Sequence, residues 1–387
     1  MLELNPVRAL LDDGHLALGR AFDEFAKKEL LPLPHAEDDG AARTQAREIM
    51  HTMGAAHFLD PILGHDLRAC CVMREMLGYA APLADAVFAL QALGSVPIAL
   101  AGSDALKERW LAPAMKGELM AAFAMTERGA GSDVGAMTTT ARRDGDEYVL
   151  DGGKTLISNA GIADFYTVFA STDRSRKTKG ISCFVVGAET PGLEFAKPQI
   201  MSAPHPIGEI TFTECRVPTS ALLGAEGEGF KLGMTTLDRL RPTVGAAACG
   251  LAARALHEAL DHATQREQFG TRLADFQLIQ HKLARMATDL TAARLLVYRA
   301  AWQKDQGAER ITMEAAMAKA FATEAAQRIV DDAVQILGGR GVLADSTVDR
   351  LYRSVRALRI YEGTTEIQHL IIAGQLIKQH RSGASAG

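Results

Sequence analysis

The 387-residue chain reads as a mainly α protein with a β domain in its middle. Three observations predict this. Apolar residues follow a helical spacing through residues 1–121, strict alternation replaces it over 122–228, and long Ala/Leu-rich amphipathic stretches fill 229–380. The length exceeds the usual size of a single core, so several domains are expected.

In the first block Leu16, Phe22, Phe25 and Leu30 recur at helical spacing with charges between them. The stretch Val72 to Ala101 is almost wholly apolar, but Gly78, Pro82 and Gly94 interrupt it. It is therefore expected to form buried helices, and no apolar run reads as a membrane span. In the middle block the runs Tyr148 to Leu150, Tyr166 to Phe169, Ile181 to Val186 and Ile210 to Phe212 predict strands of a small antiparallel domain. Turn chemistry at Asp144-Gly145, Asp151-Gly152-Gly153 and Pro191-Gly192 punctuates them. The last block predicts helices over Thr243–Thr264, Gln277–Gln306, Thr312–Leu337 and Thr365–Gln379, the third stopping at Gly338-Gly339. Residues 381–387, ending Ser-Gly-Ala-Ser-Ala-Gly, are expected to be a disordered tail.

A formal charge of −5 gives no general attraction to nucleic acid or to an anionic membrane. The five cysteines are scattered, with no Cys-x-x-Cys, which argues against a disulfide framework or zinc site and for a reducing compartment. No basic-then-apolar leader is read at the N-terminus, so a cytoplasmic location is expected. His257 and His262 are five apart and do not share a helix face, so no metal site is expected.

Several segments carry chemistry. In Met125 to Asp133 the glycines let the backbone approach a ligand, and Thr126 and Ser132 add hydroxyl donors. The spacing is neither that of a phosphate loop nor that of a dinucleotide turn, and a plain Gly-rich linker is the competing reading. Gly153 to Gly161 reads as a strand ending in a turn, where Ser158 would either cap the turn or meet a cofactor edge. In Leu237 to Pro242 the proline reads as the first turn of a helix, placing Arg241 where guanidinium and helix dipole together suit an anion. Arg266 to Gly270 closes that helix. In Arg359 to Gln368, Glu362 sits on a short linker between two amphipathic helices. A Glu before a Gly is more often a solvated loop residue, but a carboxylate held away from water there can act as a base.

Taken together and in order, these segments resemble the acyl-CoA dehydrogenase family, from about residue 20 to residue 380. The resemblance also includes Ala101-Gly102-Ser103 through Gly117-Glu118, and Gln335-Ile336-Leu337-Gly338-Gly339-Arg340-Gly341. It implies an N-terminal helical domain, a middle β domain and a C-terminal four-helix bundle, assembled as a dimer of dimers with FAD as cofactor. Phe123, Met125, Thr126, Gly131 and Ser132 would line the flavin and thioester, with Leu156 and Ser158 beside the isoalloxazine. Asp238 and Arg241 would hold the CoA moiety. Arg266, Gln268, Gln277, Gln335, Gly338 and Gly339 would contact the adenosine diphosphate, partly across a subunit boundary, and Thr364 and Glu366 would also touch FAD. Glu362 falls at the catalytic base of the short- and medium-chain branch, flanked by Tyr361 and Gly363. The implied reaction is α,β-dehydrogenation of an acyl-CoA to the trans-2-enoyl-CoA, with electrons passing to an electron-transfer flavoprotein.

The chain departs from the family pattern in places. Arg128 stands where Pro is usual, Leu156 where a Trp usually covers the flavin, and the segment Ser202 to Gly208 lacks the usual polar pattern. The helix carrying Phe88, Ala89, Leu90 and Gln91 is expected to wall the acyl pocket. No Lys or Arg lies between Arg74 and Lys107, so an uncharged acyl group is expected. The alternatives are an oxidase or eliminating flavoenzyme of the same fold, and a non-catalytic DNA-associated relative.

Overall fold

The computed structural model describes residues 4–64 and 66–383. The α-helices, in chain order, are α1 (Asp13–Phe25), α2 (Asp39–Ala55), α3 (Leu67–Ala80), α4 (Pro82–Ala101), α5 (Asp104–Met115), α6 (Gly229–Gln265), α7 (Gln277–Asp305), α8 (Thr312–Leu337), α9 (Thr347–Leu358) and α10 (Thr365–Arg381). Between α5 and α6 run β1 (Ala121–Ala124), β2 (Thr140–Asp144), β3 (Glu147–Ser158), β4 (Phe165–Ser171), β5 (Ile181–Gly187), β6 (Leu193–Pro198) and β7 (Ile207–Pro218). A short hairpin, β8 (Glu267–Gln268) and β9 (Thr271–Arg272), follows α6. Of the expected tail, Arg381 belongs to α10 and Ser382-Gly383 form a turn, while residues 384–387 lie outside the described residues.

The chain divides into two compact units. The first comprises Met1–Pro32, His65–Asp85 and Asp238–Gly387. Helices α3 and α6 approach closely within it because small residues face each other. A Cβ on Gly250 would lie 2.0 Å from the Glu75 carbonyl oxygen, and one on Gly78 would lie 2.5 Å from that of Ala247. The fully buried Glu75 is satisfied there by Arg294 Nε at 2.6 Å and the Tyr298 hydroxyl at 2.7 Å. Helix α8 ends where Gly338 takes φ 59°, as its glycine predicts.

The second unit comprises Leu33–Gly64 and Ala86–Leu237. Its sheet pairs β3 with β2 and β7, β7 with β6, and β4 with β5, all antiparallel. The expected antiparallel domain has a parallel component as well, since β1 lies parallel to β4 from Ala121↔Phe165 to Ala124↔Val168. Both faces are covered, which explains the continuous apolar run of β4. Tyr166, Val168 and Ala170 enter one core, while Phe165 and Phe169 enter another with Trp110 and Leu111 of α5. Gln91, fully buried, donates to the carbonyls of Ala114 and Leu119 and accepts from Ala121 N–H at 2.9 Å, fixing the entry to β1.

Contrary to the sequence reading, α4 does have the length and hydropathy of a membrane span, at 20 residues and a mean hydropathy of 1.7. Burial accounts for its composition, since 72 % of that window is enclosed by the protein.

Candidate active site

In the first unit, the linker from α9 to α10 makes a sharp reversal. Glu362 and Gly363 take φ values of 53° and 90°. A glutamate in the left-handed region costs about 1 kcal/mol or more, so the surrounding contacts must hold it there. They come largely from α8. Lys319 Nζ donates to the Gly363 carbonyl at 2.7 Å, and Gln368 Nε2 donates to the same oxygen at 2.9 Å. Glu324 Oε1 accepts from Arg359 Nε and from Thr365 Oγ1, each at 2.7 Å. Thr364 caps α10 by accepting the Ile367 N–H. Glycine is favoured at 363 because φ of 90° strains any other residue, and a Cβ would also push aside Gln368 Nε2, 2.5 Å away.

The turn presents a carboxylate with an unusual environment. Glu362 Oε2 is buried and has no hydrogen-bond partner among the described residues. Burial pushes its pKa above the ordinary carboxylate value, against the pull of Arg74, Lys319 and Arg241, while Asp85 pushes the same way as burial. Glu362 is thus not a solvated loop residue. Burial also raises the Tyr361 hydroxyl, and lowers the Lys319 ammonium to about 8.

Sequence reading did not single out Arg74, Asp85, Thr243 or Lys319 as partners of this turn. Arg74 Nε and Nη2 fork onto Asp85 at 2.8 and 2.9 Å, and Nη1 donates to Thr243 Oγ1 at 3.1 Å. All four residues are buried. The only available signal was a lone Arg inside an apolar helix, followed by an Asp at the start of the next.

The expected helix start at Leu237–Pro242 is corrected. Helix α6 begins at Gly229 and Pro242 lies inside it. Proline's fixed φ is compatible with a helix, so the chain runs through it at the cost of a lost backbone bond. Arg241 therefore draws nothing from a helix N-terminus. It is buried, donates from Nη1 to Asp238 Oδ1, and has an Nε buried without a partner. Asp238 Oδ2 accepts from Thr312 Oγ1 at 3.0 Å. Asp238, Arg241, Tyr361, Glu362 and Gly363 thus share one polar cluster with Arg74, Asp85 and Lys319. Arg266, Gln268, Gln277, Gln335, Gly338, Gly339 and Glu366 are exposed.

In the second unit, the Met125–Asp133 turn is anchored by a buried ion pair that sequence reading also missed. Lys154 Nζ donates to Glu127 Oε1 at 2.8 Å and to the Met125 carbonyl at 3.2 Å. Glu127 further accepts the backbone N–H groups of Thr138 and Thr139 and the Thr138 hydroxyl. Burial works to raise the Glu127 pKa, but Lys154 and these donors together hold it at about 2. Gly129 and Gly131 leave open space where a Cβ would stand, and Ser132 is exposed. Phe123 packs on Phe169 with ring centroids 4.8 Å apart. Phe88 is buried and Leu90 half-buried.

Each departure has a structural counterpart. Arg128 forks onto Glu209 at 2.7 and 3.3 Å. Leu156 takes φ 56° and is 57 % exposed, its N–H held by Gln199 Oε1 at 2.8 Å. In the segment Ser202 to Gly208, His205 Nε2 and Ser158 Oγ share a hydrogen bond of 2.7 Å. Burial lowers the His205 pKa to about 4, and Arg43 adds to the effect. These residues fit a flavin: an apolar side chain held outward, a hydroxyl two residues on, and an open glycine turn with the hydroxyls of Thr126 and Ser132.

Three acyl-CoA dehydrogenase family models match the chain, the N-terminal domain over residues 12–118, the middle domain over 122–215 and the C-terminal domain over 227–377. The 3-(aryl)acrylate reductase of Clostridium sporogenes is 41 % identical over 374 residues, covering 94 % of this chain and 98 % of its own. The mitochondrial short-chain specific acyl-CoA dehydrogenase of Mus musculus is 39 % identical over 389 residues, covering 96 % and 92 %. A solved structure described as the electron transferring flavoprotein of Acidaminococcus fermentans matches with a TM-score of 0.90 at 36 % identity, covering 95 % of this chain and 99 % of that one. These relatives do not favour the oxidase, eliminating or DNA-associated alternatives. The chain belongs to the acyl-CoA dehydrogenase family, whose members are FAD-dependent oxidoreductases that dehydrogenate the α,β-bond of an acyl-CoA thioester.

Proposed function

We propose that Glu362 is the base that removes the α proton of the thioester. The observation that carries this is its buried, unpartnered Oε2 on a turn clamped by Lys319 and Gln368. A thioester α-C–H is a very weak acid, so a carboxylate in water would not deprotonate it at a useful rate. A desolvated carboxylate with a raised pKa is a stronger base, and a fixed turn spends no free energy on orienting it. Bound FAD supplies the acceptor for the β-hydride. Ser158, Thr126 and Ser132 hold the flavin by their hydroxyls, and Asp238 and Arg241 hold the CoA moiety. Arg266, Gln268, Gln277 and the Gln335 to Gly339 turn complete a neighbouring subunit's cofactor site.

A homo-oligomer is supported by large apolar side chains left in the open near those residues, with Phe269 96 %, Leu278 80 % and Val342 66 % exposed. The resemblance makes it a dimer of dimers. An electron-transfer flavoprotein is the acceptor we favour, reaching the flavin past Leu156. The buried thiols of Cys71, Cys183, Cys215 and Cys249 accord with a cytoplasmic home. The acyl group is uncharged, since Arg74, the cation that precedes the apolar helix, is committed to Asp85.

The test is anaerobic bleaching of the flavin spectrum by a panel of acyl-CoA thioesters, short straight chains and aryl-substituted ones included. Glu362→Gln retains FAD and binds the thioester but loses roughly three orders of magnitude in flavin reduction, about 4 kcal/mol of barrier. Reduction at a near wild-type rate would remove Glu362 from the mechanism.

A further inference from the structure

We propose that Asp85 and Arg74 form a positioning pair for Glu362, in which Asp85 orients the Arg74 guanidinium and offsets part of its charge. The inference rests on the reading of Glu362 as the base and adds what sets its strength. Arg74 commits three of its N–H groups away from Glu362. Two go to Asp85 at 2.8 and 2.9 Å and one to Thr243 Oγ1 at 3.1 Å. Thr243 in turn donates to the Leu240 carbonyl at 2.7 Å, which fixes the guanidinium to the backbone of α6 beside Arg241. The Tyr361 hydroxyl lies within reach of the same guanidinium. Arg74 and Asp85 are 2 % and 4 % exposed, so water does not screen their charges.

The charges facing Glu362 come from four helices. They are Arg74 from α3, Asp85 from α4, Arg241 from α6 and Lys319 from α8. Arg241 is itself paired with Asp238, and Lys319 is also near Glu324 and Glu366. Without Asp85 three cations would face one carboxylate in a dry site, and the ionised form of Glu362 would be favoured strongly enough to weaken it as a base. With Asp85 part of the Arg74 contribution is offset, and burial outweighs what remains. The bidentate fork also holds the guanidinium in one orientation, which a lysine at position 74 could not do.

The test is a direct titration of the Glu362 carboxyl in the FAD-loaded protein. Infrared difference spectra of ¹³C-glutamate-labelled protein, with the Glu362→Gln spectrum subtracted, report the protonated carboxyl as a function of pH. Arg74→Gln raises the Glu362 pKa by about one unit or more, and Asp85→Asn lowers it by a smaller amount. The double variant lies between the two singles, and where one single fails to fold its comparison with the other decides. Opposite shifts in the single variants with the double variant between them support the pair. Unmoved singles, singles shifted in the same direction, or a double variant outside their range overturn it. Flavin reduction by Glu362→Gln is scored separately. Undiminished reduction there would sink the base assignment while leaving the titration result on the pair intact.

Discussion

Replacing Lys154 by Met tests whether the ion pair under the Met125–Asp133 turn is what holds the turn. The substitution keeps the length and apolar stem of the side chain and deletes Nζ. Glu127 then loses its 2.8 Å donor, and the Met125 carbonyl loses its bond at 3.2 Å. Breaking a buried pair by removing one partner costs about 3–5 kcal/mol, because the remaining charge is left uncompensated. Glu127 still has three donors from Thr138 and Thr139, which places the expected loss near the lower end, about 3 kcal/mol. The pH dependence follows from the same pair. The Glu127 pKa is depressed from 4.5 to about 2, so its contribution is full above 4.5 and is lost as pH falls toward 2. In Lys154→Met the folded pKa climbs back toward the unfolded one, and acid unfolding starts at a higher pH. Urea unfolding at neutral pH and at about pH 4 measures both effects, and FAD retention on gel filtration reads the turn itself. The double variant Lys154→Met/Glu127→Gln recovers most of the loss. A single variant within about 1 kcal/mol of wild type, or a double variant no better than the single, would refute the assignment.

Two further outcomes are expected. Gly250→Ala destabilises the protein by about 3 kcal/mol in urea unfolding, the upper end for overpacking, because its Cβ would lie 2.0 Å from a backbone oxygen of the neighbouring helix. His205 has a pKa lowered from 6.5 to about 4, so its contribution is present above 6.5 and is lost as pH falls toward 4. His205→Gln therefore flattens the stability curve across that window by up to about 3 kcal/mol, and an unchanged curve would mean that the imidazole is not held neutral.

The elements whose period is local were legible in the sequence. Helix α8 runs from Thr312 to Leu337, as its apolar face and the following glycines predict, and α10 starts at the Thr365 expected for it. The start of α6 was not legible, because Pro242 carries the same local signal at a first turn as in a helix interior that tolerates it. The parallel pairing of β1 with β4 was hidden for another reason. Phe123 pairs with Thr167, far along the chain, and alternation within a strand says nothing about the direction of its neighbour. The apolar stretch of α4 was read as too short and broken for a membrane span, although Gly94 lies within an unbroken helix. For the site, Glu362 and Arg241 stood out by motif. Arg74, Asp85 and Lys319 did not, because long-range pairing decides whether an isolated charge is solvated or buried.

The buried ions of this protein fall into two kinds, and the difference bears on which of them does chemistry. Glu75 meets Arg294 and Tyr298, Glu127 meets Lys154 and three further donors, and Asp85 meets the fork of Arg74. Each of these carboxylates is matched by hydrogen-bond donors within the fold. Glu362 is surrounded by cations yet its Oε2 takes no hydrogen bond from any of them. Lys319, the cation bonded to this turn, gives its bond to the Gly363 carbonyl instead. An unpaired buried oxygen costs about 1–3 kcal/mol, a sum that a structural carboxylate avoids by finding a donor. In the role we propose for it, Glu362 must keep a lone pair free for the proton that it is to accept. The cations therefore act on Glu362 through space, setting its proton affinity, while the backbone of the turn bears the hydrogen bonds that keep it in place.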